Sequence, residues 1–136
     1  MTSPAYNVEM TLVASSAARE SIETSGQPNP NLSAAVRAGY ALFVSGMLAE
    51  GEALTGDGAI QTRDILRKLD IVLTRAGFSR ADVRELLVYV TDAEAGPPSV
   101  AECRAGFGAK VAITPVKADL AVAGGRVEIM ACVERA

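Results

Sequence analysis

Between Ile60 and Ala76 the chain repeats apolar residues at helical spacing, and this one segment limits the fold more than any other. Ile65, Leu69, Val72, Leu73 and Ala76 fall on one face, with Arg63, Arg67, Asp70 and Thr74 on the other. Such a helix carries a stripe that has to be buried against something. Gly77 supplies its stop, because glycine takes the left-handed conformation at little cost.

The segments around the helix read as strands that could receive that stripe. Val8, Met10 and Leu12 alternate with Glu9 and Thr11, a period-two pattern. Tyr40 to Val44 is a short strand bounded by Gly39 and Gly46. LLVYVT, Leu86 to Thr91, is continuous enough in β-formers to predict a strand covered on both faces. Pro97 and Pro98 close it, and Ser99 with Glu102 three positions on makes a capping box for a second helix through about Gly106. A weaker box, Ser79 with Asp82, starts a single turn. Val116 to Val122 and Arg126 to Val133 flank Ala123-Gly124-Gly125, which predicts a tight hairpin. In the last strand Val127, Ile129, Ala131 and Val133 face one way, and Glu128, Met130 and Cys132 the other. SGQPNPN (Ser25 to Asn31) and EGEALTGDG (Glu50 to Gly58) read as turn and loop.

The expected order is strand, strand, helix, strand, helix, strand, strand. That pattern gives an α+β domain, with two helices packed on one face of a mixed sheet. The other face then needs cover, which self-association would supply.

Composition narrows the function. At 136 residues the chain is one domain, able to bury a core without disulfide or metal. Its net charge of −3 and scattered Lys and Arg argue against nucleic acid as a partner. The absence of histidine removes the usual general base and the commonest metal ligand, so no metal or other cofactor is expected. Cys103 and Cys132 have no metal-site or redox spacing and read as small buried hydrophobes. No apolar run reaches membrane-span length, and MTSPAYNVEM has no signal pattern, so a cytoplasmic location is expected. Gly124-Gly125 lacks the helix and lysine of a phosphate loop.

Several motifs in order resemble one family. They are NPNLSAAVRAG, then LFVSG within AGYALFVSG (Ala38 to Gly46), QTRDILRKLDIVLTRAG, VYVTD and the closing VEIMACV. Together they are similar to the Rid family, the reactive intermediate deaminases, also called the YjgF family. The resemblance runs from about Arg19 to Glu134, which makes residues 1–18 an N-terminal extension with a possible extra strand, and residues 19–136 the Rid-like domain. It implies a YjgF/chorismate-mutase-like fold, a homotrimer with a cleft at each subunit interface, and hydrolysis of reactive enamines or imines to ketones and ammonia.

In such clefts an arginine receives the substrate carboxylate fork to fork, a glutamate positions water, and a serine-glycine turn and a tyrosine complete the walls. Carried over, the serine-glycine pair is Ser45-Gly46 and the glutamate is Glu128. The arginine position falls at Ile113 within about one residue, next to Thr114, whose hydroxyl or amide could substitute. The tyrosine position is Leu32, and the frequent glutamine after the turn is Met47. Three polar positions are therefore apolar. A carboxylate costs several kcal/mol to desolvate without a cation or strong donors, so the ordinary imino acid should bind poorly. Arg126, Lys117 or Arg37 could supply the charge from elsewhere, and the sequence favours none of them.

Each residue also has a plainer role. Glu128 fits a general acid/base with raised pKa, or a salt bridge to a neighbouring subunit. Ser45 fits a ligand contact or a turn. Cys132 fits inert packing, since nothing nearby would activate it. Two functions follow: an enzyme acting on an imine, enamine or related reactive intermediate, by deamination or cyclisation, with Glu128 as acid/base; or a non-catalytic trimer that binds a small metabolite or has a regulatory role. A nuclease is disfavoured by charge and by scarce aromatics.

Overall fold

The structure is a computed structural model and describes residues 19–23 and 33–136. Six strands and two helices follow in the order β1 (Glu20–Ile22), β2 (Ala35–Ala38), β3 (Ala41–Leu48), α1 (Gly58–Ala76), β4 (Val83–Val90), α2 (Gly96–Phe107), β5 (Ala112–Lys117) and β6 (Val127–Glu134). The strands form one sheet in the order β1-β2-β3-β6-β4-β5, antiparallel throughout except for the parallel pair β4–β5. The mixed α+β sheet with its two helices is the expected class.

One face of the sheet carries the core. Leu42 and Val44 of β3, Leu86 and Val88 of β4, and Ile129 and Ala131 of β6 are buried together with Ile65, Leu69, Val72 and Leu73 of α1. At about 25 cal/mol per Å² of apolar surface, this layer is the main stabilising term. Asp57 caps α1 by accepting from the Ile60 amide at 2.9 Å, and Gly77 ends it at φ 80. The two helices cross closely where they begin: a Cβ on Gly58 would lie 2.8 Å from the Ala95 carbonyl oxygen.

The opposite face is open in the chain. Phe43 (56% exposed), Met130 (38%) and Val116 (37%) stand there with Leu87, Tyr89 and Cys132. The expectation that β4 is covered on both faces is therefore corrected within the chain: Val83, Leu86, Val88 and Val90 are buried, while Glu85, Leu87 and Tyr89 remain partly exposed.

Three further expectations change, and one falls where nothing is described. The strand expected at Val8 to Leu12 lies outside the described residues. The strand expected at Tyr40 to Val44 runs instead from Ala41 to Leu48 as β3, and Gly39, at φ 60, and Tyr40 form the turn that joins it to β2. The Gly124-Gly125 hairpin does not form: β6 lies between β3 and β4, so β5 and β6 are not neighbours. The β5 strand instead ends at Lys117, and the glycines make a turn in which the Gly125 amide donates to Val122 O at 3.0 Å. Lastly, α2 begins at Gly96 rather than at Ser99. Asp92 starts it by accepting from the Glu94 and Ala95 amides at 3.0 and 2.8 Å. Pro97 and Pro98 then sit in the first turn, where a missing N–H costs nothing. Ser99 is fully buried, and its hydroxyl accepts from Thr62 Oγ1 at 2.7 Å.

Candidate functional site

The candidate site forms where β3 breaks its register with β6. Val44 pairs with Ala131 and Met47 with Ile129, so Ser45 and Gly46 together oppose Met130. This is a β-bulge, and bulges re-aim the chain at a sheet's functional rim. Ser45 is fixed by backbone: its amide donates to Ala34 O at 3.0 Å, and its hydroxyl reaches Ser33 O and Ala34 O at 2.9 and 3.0 Å. Ser45 is therefore not the expected turn residue at a strand end: it lies within β3, at the bulge, with its side chain exposed.

Gly46 has a second reason to be glycine. A Cβ there would lie 2.2 Å from Oε1 of Glu128 and 2.8 Å from its Cδ. The carboxylate of β6 therefore rests directly on the backbone of the bulge. Among the described residues Glu128 has no ion-pair or hydrogen-bond partner, and it is half-buried. Of the predicted site residues the structure thus brings Ser45, Gly46 and Glu128 together.

A cleft of about 430 Å³ opens beside them, lined by Ser45, Gly46, Met47, Leu48, Leu54 and Val122 among others. Met47 is mostly buried and belongs to its floor. The charged groups among its lining residues are Glu50 and Lys68, and they pair with each other at 2.8 Å. Lys68, which sequence reading did not single out, also donates to Leu48 O at 2.8 Å. Its cation is spent on holding the cleft wall, so the described lining has no net charge to offer.

Ile113 and Thr114 lie elsewhere. Both are on β5, separated from β6 by β4, hence about 10 Å from Glu128's strand at the usual strand spacing. Ile113 pairs with Leu86 and packs partly against the core on the helix side, whereas Thr114 pairs with Leu87 on the open face. Leu32 falls outside the described residues.

The three alternative cations are also placed. Arg126 pairs with Asp92 at 3.2 Å. Arg37 pairs with Glu20 and donates to Ala76 O at 3.1 Å, at the far end of the sheet. Lys117 is exposed and lines a separate apolar groove of about 420 Å³ between α2 and β5.

Two groups became visible only through packing. Gln61, fully buried, donates to Leu54 O, Gly56 O and Gly124 O and accepts from the Arg126 amide, tying the loop behind the cleft to the start of α1. Tyr89 is Glu128's direct partner across the β4–β6 ladder. The continuous apolar run LLVYV gave no sign of which face Tyr89 would take. Asp92 is held below the usual carboxylate range, first by the Ala95 amide and then by Arg126 against the cost of burial. Burial, with Glu102's charge second, pushes the Cys103 thiol up to about 11, which makes it unreactive. No three His, Cys, Asp or Glu side chains among the described residues converge to hold a metal. No helix among them is long and apolar enough to cross a membrane.

Comparison with known proteins bears on the family and the fold. The profile of the family described as Endoribonuclease L-PSP matches residues 22–134. A RutC family protein of Pyrococcus horikoshii is 36% identical over 80 residues, 54% of this chain and 64% of that protein, so the match spans just under two thirds of the relative's length. The crystal structure of a YjgF/YER057c/UK114 family member from Mycobacterium tuberculosis is 32% identical with a TM-score of 0.76, covering 86% of this chain and 99% of that one. A conserved Rid-family protein from Yersinia pestis, 22% identical with a TM-score of 0.73, covers 87% of this chain and 100% of its own, and shows the fold alone. With the family profile matching from β1 through β6 and the fold shared with a solved member, the chain belongs to the endoribonuclease L-PSP family, the YjgF/RutC or Rid family.

Proposed function

We propose that this protein processes a neutral imine, enamine or related reactive intermediate, with Glu128 as the acid/base, in a cleft that a second subunit of a homotrimer completes. The observation that carries the reading is Glu128 itself: a half-buried carboxylate set against the Gly46 backbone, without a counter-ion among the described residues. With no described ion-pair or hydrogen-bond partner, this carboxylate is left open to a ligand or to solvent. One reserved for proton transfer must stay open to its substrate.

In this reading Glu128 takes a proton from water as it attacks the imine carbon, and returns one to the departing nitrogen. The products are a ketone or aldehyde and ammonia. The Glu50–Lys68 pair leaves the described lining neutral, and Ile113 and Thr114, at the place matched within about one residue to the family's arginine, bring no charge. A carboxylate-bearing imine would lose its hydration without compensation. Location in the cytoplasm belongs to the same proposal.

The competing reading is a trimer that binds or senses a small metabolite without turnover, and the same apolar lining suits it. Glu128→Gln separates the two. The enzyme reading expects ammonia release to fall at least about 100-fold, the scale of general acid–base catalysis, with ligand affinity little changed. A variant as active as the parent would remove Glu128 from the mechanism.

A further inference from the structure

Glu128 is not alone in its row. Across the sheet the register runs Leu48, Glu128, Tyr89, Val116, one residue from each of β3, β6, β4 and β5. Glu128 and Tyr89 are direct antiparallel partners, so their side chains leave the sheet on the same face with Cβ atoms about 5 Å apart. Burial confirms the face: Val88 and Val90 on either side of Tyr89, and Val127 and Ile129 on either side of Glu128, are all buried toward the helices. Tyr89 is itself half-buried, and its hydroxyl is open to solvent, with no hydrogen bond to any described residue.

Two polar groups of complementary sense are thus held side by side on the open face, next to apolar side chains, with both polar ends free of any described partner and open to a ligand. A phenol donates and a carboxylate accepts. From this juxtaposition we infer that Tyr89 is a ligand-contacting residue of the site, its hydroxyl donating to an uncharged oxygen of the substrate while Glu128 manages the reacting nitrogen. The inference rests on the proposed site and deepens it by naming the substrate class. The preferred ligand carries a carbonyl oxygen, as an amide or ketone, next to the imine carbon, where a carboxylate would otherwise be. A neutral phenol suits such an oxygen because it supplies a hydrogen bond without a charge to neutralise. A carboxylate in the same place would face Glu128 with no cation between them.

The test is binding of stable product analogues by calorimetry or NMR titration, using 2-oxohexanamide and 2-hexanone. Wild type should bind the oxo amide more tightly. Tyr89→Phe removes only the hydroxyl, and should weaken the oxo amide about three- to tenfold, the range of one neutral hydrogen bond, while leaving 2-hexanone unchanged. An unchanged melting temperature shows that the phenyl ring still packs. Equal weakening of both ligands, or none of either, overturns the inference, as does a wild type that fails to prefer the oxo amide. Because no turnover is needed, a protein that passes this test yet releases no ammonia would refute the enzyme reading and leave the Tyr89 contact standing.

Discussion

At the residue scale, the molecule depends on a few polar groups whose partners lie far away in sequence. Gln61 shows this most clearly: it joins the loop before α1, the Gly124 turn and the start of β6 through four backbone hydrogen bonds. Gln61→Leu keeps the volume and strands those groups in a buried site. The expected cost is about 3 kcal/mol or more, since each unpaired buried group costs about 1–3 kcal/mol. Urea unfolding measures it, and a loss below about 1 kcal/mol would mean that water replaces the amide. The sequence placed Gln61 inside a recognisable motif without showing what it does, because its partners are backbone atoms that no pattern reveals. Glu128 and Ser45-Gly46 were legible, since matching motifs fix their strands. The contact between them was not, because it depends on a bulge that shifts the register of β3 against β6.

At the scale of elements, local signals were read correctly where the cause was local. The apolar stripe of α1, its stop at Gly77 and the alternation of β6 all appear as the sequence requires. The short strands β1 and β2 were missed. AVRA has too few β-branched or aromatic residues to signal a strand, and its place comes from pairing with β3. The glycine pair at Gly124-Gly125 signals a turn but cannot say which strands it joins. The start of α2 gives an element-level prediction. Asp92 caps that start and is held below its ordinary value, near 3.8, first by the Ala95 amide and then by Arg126. A depressed folded-state value stabilises the fold above the unfolded value and is lost as pH falls through the folded one. Asp92→Asn should therefore melt below wild type at neutral pH, and the gap should close as pH drops from about 5 to below 3.8. A gap that persists in acid would show that the carboxylate's charge contributes nothing.

For the whole molecule, the open sheet face is the outstanding feature. Phe43, Leu87, Met130 and Val116 form an apolar surface that a homotrimer would cover, completing the cleft beside Glu128. Sedimentation should therefore give about three times the 14.1 kDa protomer. Cys132 sits on that face and is exposed in the single chain, whereas Cys103 is buried with its thiol pushed up to about 11. In the assembled protein both should resist thiol reagents until denaturant is added. Rapid labelling of one thiol in the native protein, together with a monomeric mass, would leave the face open and the cleft incomplete.

The central claim is that Glu128 works beside an apolar cleft with no free cation among its described lining, which turns away carboxylate-bearing substrates. Its most direct measurement is ammonia release from 2-iminobutyrate and from the corresponding 2-imino amide, each corrected for spontaneous hydrolysis. The account predicts little or no acceleration for the acid and clear acceleration for the amide, abolished by Glu128→Gln. Brisk hydrolysis of 2-iminobutyrate would contradict it, and would mean that a cation such as Arg126 or Lys117 reaches the substrate in the assembled protein.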